Sequence, residues 1–142
     1  MAKVNREKIK VLVGEIKQVL RNLRDYSHLS MEKVLNDSTI LGSIKYNFIV
    51  AIQSCIDICN HIVAKEQARA PEDYDDCFRI LDEMGILEKD FAERLIQMAR
   101  FRNLLVHLYW EVNNQKVYET LQKDIDDFDL FLEKLGKYLN YT

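Results

Sequence analysis

An all-α fold, an antiparallel bundle of about five helices, is what this sequence predicts, and three observations predict it. Apolar residues return every three or four positions through most of the chain, the period of an amphipathic helix. Chain breakers are scarce: four Gly and one Pro in 142 residues cannot supply the turns of a β-sandwich or barrel. Hydrophobic residues make up 48% of the chain and charged residues 30%. That balance builds one core at this length without a disulfide or metal staple. The expectation is a single domain over residues 1–142.

The elements follow in order. Ile9, Leu12, Ile16, Val19, Leu20 and Leu23 lie on one helical face and predict a first helix from about Asn5 to Arg24. Ser30 to Asn36 reads as a short helix or turn. Asp37-Ser38 offers N-cap chemistry for a helix from about Thr39 to Lys65. Its apolar face holds Ile40, Ile44, Phe48, Ile52, Cys55, Ile56, Cys59 and Val63, widened by Ile49 and Ile62, which suits a central helix. Ala68–Tyr74, with Pro71, is the clearest break. Asp75 to Met84 reads as a short helix closed by Gly85, a left-handed cap. Glu88 or Lys89 opens a helix to about His107, its inner face marked by Phe91, Leu95, Met98, Phe101 (or Arg102) and Leu105. Asn113-Asn114 then caps one last helix. Its stripe of Leu121, Ile125, Phe128, Leu132, Leu135 and Leu139 steps 4-3-4-3-4.

Several function classes lose support at once. The longest apolar run, Phe48–Ile52, falls far short of the ~20 residues of a membrane span. The charged N-terminus has no secretory pattern. Three cysteines, Cys55, Cys59 and Cys77, show no disulfide spacing, and a reducing, cytoplasmic setting fits them. Cys55, Cys59 and His61 are close in sequence, yet both thiols lie on the apolar stripe, where free Cys packs as a small hydrophobe. Asp124, Asp126, Asp127 and Asp129 point different ways on a helix and suit a solvated face better than a cation site. No phosphate-binding Gly loop or serine-hydrolase elbow is present, and neither a metal nor a cofactor is expected.

The net charge is −3, but it is unevenly spread. Residues 1–29 carry seven Lys/Arg against three Asp/Glu, and residues 72–90 carry two against eight. A polyanion meets the first region and avoids the second. Lys3, Lys10, Lys17 and Arg24 recur every seven residues and form a stripe. The stripe is either a solvated helix face or a strip that contacts an RNA backbone.

The segment Phe101-Arg102-Asn103-Leu104-Leu105-Val106-His107-Leu108-Tyr109-Trp110 carries the most chemistry. An arginine can neutralise a phosphorane through bidentate donors. A histidine can accept a proton from a ribose 2′-hydroxyl and return one to a leaving oxygen. Asn103 is four residues before His107 and can orient its ring. Arg102 and His107, however, are about 140° apart around an ideal helix and about 7.5 Å along it. Either Arg102 reaches across, the helix ends near His107, or a second chain completes the site. A two-fold axis beside the helix brings both pairs together. Spacing alone is a weak signal, since Arg21-Asn22 and His28 nearly repeat it.

The string Arg102 to Tyr109 resembles the R-x₄-H-x-Y signature of HepT-like toxins in the HEPN superfamily. The order of a basic first helix, a long apolar middle helix and a regular C-terminal helix is similar over most of the chain. The resemblance implies a helical homodimer whose motifs meet in an interfacial cleft. It implies metal-independent RNA cleavage that leaves a 2′,3′-cyclic phosphate, with Arg102 and His107 catalytic and Asn103 supporting them. It also implies a cognate nucleotidyltransferase antitoxin that transfers AMP to Tyr109. Two other readings fit the same residues: a non-catalytic helical module that docks a nucleotidyltransferase, and a structural dimer with Leu108, Tyr109 and Trp110 as interface filler.

Overall fold

A computed structural model describes residues 4–66, 68–73 and 75–140. Among them are seven α-helices and one 3-10 turn. The helices are α1 (Arg6–Ser27), α2 (Met31–Leu35), α3 (Ser38–Lys65), α4 (Asp76–Glu83), α5 (Lys89–His107), α6 (Asn114–Lys123) and α7 (Asp126–Asn140). The 3-10 turn, Tyr109–Glu111, joins α5 to the last pair. One apolar cluster draws side chains from all seven helices.

Side-chain oxygens cap α1, α2, α3 and α6 from the residue before each. Asn5 Oδ1 accepts from the Lys8 amide at 3.1 Å. Ser30 Oγ accepts from Lys33 at 3.2 Å, and Asp37 Oδ1 accepts from Thr39 and Ile40 at 3.0 and 3.2 Å. The first helix runs one turn past Arg24 to Ser27 and buries Ile9, Ile16, Val19, Leu20 and Leu23. Helix α3 packs against α1, α2, α4 and α5. Its most apolar window has mean hydropathy 1.4, enough by length and composition for a membrane span, but 61% of that window is buried inside the bundle. It is the core helix.

A polar network fixes how α1 and α3 meet. Asn47 is buried on α3; Asn22 Nδ2 donates to its Oδ1 at 3.0 Å, and its own Nδ2 donates to the Ser43 carbonyl at 2.7 Å. The Tyr26 hydroxyl and Ser43 Oγ share a hydrogen bond of 2.8 Å. A sliding helix would leave these groups buried without partners, which costs more than the bonds gain.

Helix α4 ends as Gly85 requires. With φ +78°, Gly85 lets its own N–H reach the Asp82 carbonyl and the Ile86 N–H reach Leu81, both at 2.9 Å. That is the Schellman pairing, and a side chain at 85 would strain the backbone.

The single last helix predicted from its regular stripe is in fact two. The Asp124 N–H still bonds to Thr120, four residues back, at 2.9 Å. The Asp127 and Phe128 amides instead reach Asp124 and Ile125, three residues back, at 3.1 and 3.2 Å. Thr120 Oγ1 donates to the Lys116 carbonyl at 2.9 Å, a back-bond that bends helices. Asp126, Asp127 and Asp129 form the first turn of α7, where carboxylates are favoured by the helix dipole. Arg94 of α5 grips Asp127 with two bonds of 3.2 Å, and Arg24 pairs with Asp126 and Asp129. The offset turns Phe131 inward with Phe128 and Leu135, while Leu132 and Leu139 are only half-buried.

The break before α4 is held by charge. Asp76 is buried, and it accepts from Arg69 at 2.6 and 3.1 Å and from the Glu72 amide at 2.9 Å. Arg69 Nε also bonds Glu83. These donors, Arg69 first, hold the Asp76 carboxyl down at about 2 despite burial. A carboxyl with a depressed folded pKa stabilises the fold above its unfolded value near 4, and that contribution is lost as pH falls towards 2. Asp76→Asn is expected to cost about 2 kcal/mol at neutral pH. It should also flatten the stability curve between about pH 4 and pH 2, read from urea melts at each pH; an unchanged acid limb would contradict this assignment.

Candidate active site

The C-terminal half of α5 carries Arg102, Asn103 and His107. Phe101 is seated by an edge-to-face contact with buried Phe48 of α3, with ring centroids 5.5 Å apart. Next to it, Arg102 is half-buried, and one of its terminal nitrogens donates to Asn103 Oδ1 at 3.1 Å. The hydrogen bond seen at Asn103 therefore steadies the guanidinium, whereas the sequence suggested the His107 imidazole as its partner. Leu105 is buried below, and His107 is exposed at the last position of the helix.

Leu108 ends the helix by its backbone, with φ −129° and ψ 42°. Its N–H still bonds the Leu104 carbonyl at 3.0 Å. The 3-10 turn follows at once, closed by Glu111 N–H to Leu108 at 2.8 Å and Val112 N–H to Tyr109 at 3.4 Å. Val112 packs back on the core, and Asn113 Oδ1 caps α6 by accepting from Gln115 and Lys116. This pins the turn at both ends and leaves its side chains outside. Tyr109 is 68% and Trp110 67% exposed, and their rings meet edge to face with centroids 5.3 Å apart.

The helix ends at His107, which is its last helical residue, so the angle between His107 and Arg102 is kept. A groove of about 490 Å³ runs along α5 beside α6 and α7, lined by Met98, Phe101, Leu104 and Lys116 among others. Neither Arg102 nor His107 lines it.

The other residues fall out as follows. Lys10 and Lys17 are exposed on α1. Arg24 is engaged with Asp126 and Asp129, so its charge is already matched by α7. Lys3 lies outside the described residues. The second Arg–His match is structural: Asn22 belongs to the buried network with Asn47, and Arg21 donates to Gln18 at 2.6 Å. Cys55, Cys59 and Cys77 are buried free thiols. Burial pushes the Cys55 and Cys59 thiols up, with Cys77 beside both. His61 turns away to accept the Asn5 N–H at 2.9 Å. Among the described residues no group of three His, Cys, Asp or Glu side chains is placed to hold a metal ion.

Trp110 enters the sequence reading only as interface filler, and its exposed place beside Tyr109 on a fixed turn is what the structure adds. Its signal was an aromatic pair just past the end of a periodic apolar stripe, in a chain with one tryptophan.

A family model described as ribonuclease HepT-like matches residues 16–135. The chain belongs to the HepT-like family. The Arg102–Tyr109 string lies within the matched span, and the family is one of ribonucleases. The mRNA nuclease HepT of Shewanella oneidensis is 30% identical over 126 residues, spanning 89% of this chain and 91% of that one. A solved structure of the tri-AMPylated HEPN toxin of the same organism, in complex with MNT antitoxin, superposes with a TM-score of 0.85. The match is at 25% identity and covers 92% of this chain and 97% of that one. The cytosolic protein YutE of Bacillus subtilis shares the HepT-like chain's fold, with a TM-score of 0.86 at 18% identity over 99% and 94% of the two chains.

Proposed function

We propose that this HepT-like chain is the toxin of a cytoplasmic toxin–antitoxin pair, a metal-independent RNA endonuclease with its active site between two copies of the chain. The observation that carries this reading is the placement of His107. Its imidazole is exposed at the last turn of α5, on the helix that also presents half-buried Arg102.

The chemistry follows from these groups. A neutral His107 imidazole takes the 2′-hydroxyl proton, and the 2′-oxygen attacks the adjacent phosphorus. The His107 imidazolium of the second copy gives its proton to the leaving 5′-oxygen. The P–O5′ bond breaks, leaving a 2′,3′-cyclic phosphate and a 5′-hydroxyl. The Arg102 guanidinium neutralises the phosphorane, and Asn103 limits its freedom to swing. These groups supply both proton transfer and charge, so the step does not call on a metal. Lys10 and Lys17 offer further positive charge to the RNA backbone.

Tyr109 is the control point. The relative solved with MNT antitoxin carries three AMP groups, and Tyr109 here is an exposed phenol two residues past His107. A cognate nucleotidyltransferase would bond its oxygen to the α-phosphorus of ATP, with pyrophosphate leaving. The added phosphodiester places bulk and negative charge beside the site and excludes the RNA phosphate.

Purified wild-type protein is expected to cleave RNA in the presence of chelator, and His107→Ala and Arg102→Ala are each expected to lose cleavage at least about a hundredfold while circular dichroism is unchanged. Full cleavage by a pure His107→Ala protein would reject the reading. Co-expression with the antitoxin should add whole AMP masses to the intact chain and none to Tyr109→Phe; a modified Tyr109→Phe protein would move the acceptor elsewhere.

A further inference from the structure

Outside the groups used above, the largest exposed apolar surface on a fixed scaffold is the indole of Trp110. It is 67% exposed, on a turn whose backbone is closed by two hydrogen bonds and whose next residue is packed on the core. Tyr109 meets it edge to face at 85°, which leaves at least one face of the indole open. No more than about 11 Å of chain separates the α-carbons of His107 and Trp110, so the ring stands within one or two nucleotides of the scissile phosphate.

From this geometry we infer that Trp110 is a stacking platform for a nucleobase of single-stranded RNA next to the cleaved bond. The inference rests on the ribonuclease reading. It goes beyond that reading by naming the strand form and the residue that selects it. A fixed, open aromatic face suits a base, because every base has a π-face and stacking tolerates sequence. Glu111 in the same turn disfavours a phosphate there, so the turn takes the base while Arg102 takes the backbone. Bases inside a duplex are already stacked and hidden, so the platform serves only unpaired strands.

The chain has a single tryptophan, so its emission reports this site alone. Full-length unmodified protein is titrated with a 2′-O-methyl single strand, whose blocked 2′-oxygen cannot attack. Parallel titrations use an abasic strand of equal length, a blunt duplex and free AMP at equal base concentration. Saturable quenching by the base-bearing single strand, and much weaker quenching by the other three, is the expected result. In cleavage assays on single-stranded RNA, Trp110→Ala should raise KM about tenfold with kcat little changed, and Trp110→Phe should recover most of the loss.

Strand binding seen by anisotropy without indole quenching would overturn the inference. So would equal quenching by free AMP, a wild-type KM for Trp110→Ala, or concentration-dependent blue-shifted emission showing that a second copy buries the ring. The two readings fail separately. Cleavage by wild type and Trp110→Ala with equal KM removes the platform alone, whereas no cleavage by wild type removes the ribonuclease.

Discussion

Five residues of α-helix turn through about 140°, so the guanidinium of Arg102 and the imidazole of His107 leave α5 in different directions. No packing within one chain changes that angle while both residues stay helical. The structure shows how the chain lives with the constraint. Arg102 stays half-buried against its neighbours, steadied by Asn103, and the helix stops where His107 reaches solvent. The phosphodiester chemistry we propose needs both groups at one phosphate, and two copies related by a two-fold axis would supply that meeting. The dimer we propose is the arrangement that answers this angle.

The rest of the bundle holds α5 still. Phe48 braces Phe101 from the core helix, and Arg94 ties the helix to the start of α7 through Asp127. Arg100 reaches Asp75 at 3.2 Å, joining α5 to the charged network before α4. Arg94 also lies over the Phe91 ring, 5.1 Å from its centroid. Each contact is worth little alone, but together they fix the helix on three sides and leave its last turn outward. Catalytic groups on rigid helices keep their geometry better than groups on loops.

Much of this was legible in the residues. The apolar periodicity placed α1, α3 and α5 to within a turn, and Asp37, Asn113 and Gly85 marked real caps because their side chains, or the lack of one, solve a local backbone problem. The division of the last helix was hidden by a stripe that continues in register across the break. The acids at 126, 127 and 129 were the available sign, since three carboxylates together suit a helix start better than its middle. The Asn103 partner could not be read from spacing: position four back from His107 and position one after Arg102 both allow a bond, and only rotamers decide. The exposure of Trp110 likewise depends on the chain leaving the helix at Leu108, which no Gly or Pro announces.

The most direct measurement pairs an intact copy with a broken one. Wild-type and His107→Ala chains are co-expressed with different tags, and the mixed dimer is isolated through both. A shared site draws its base from one His107 and its acid from the other, so the mixed dimer is predicted to cleave RNA hardly better than the His107→Ala parent. A pure mixed dimer that keeps a substantial share of the wild-type rate would show that each chain works with its own imidazole, and would contradict a site shared between protomers.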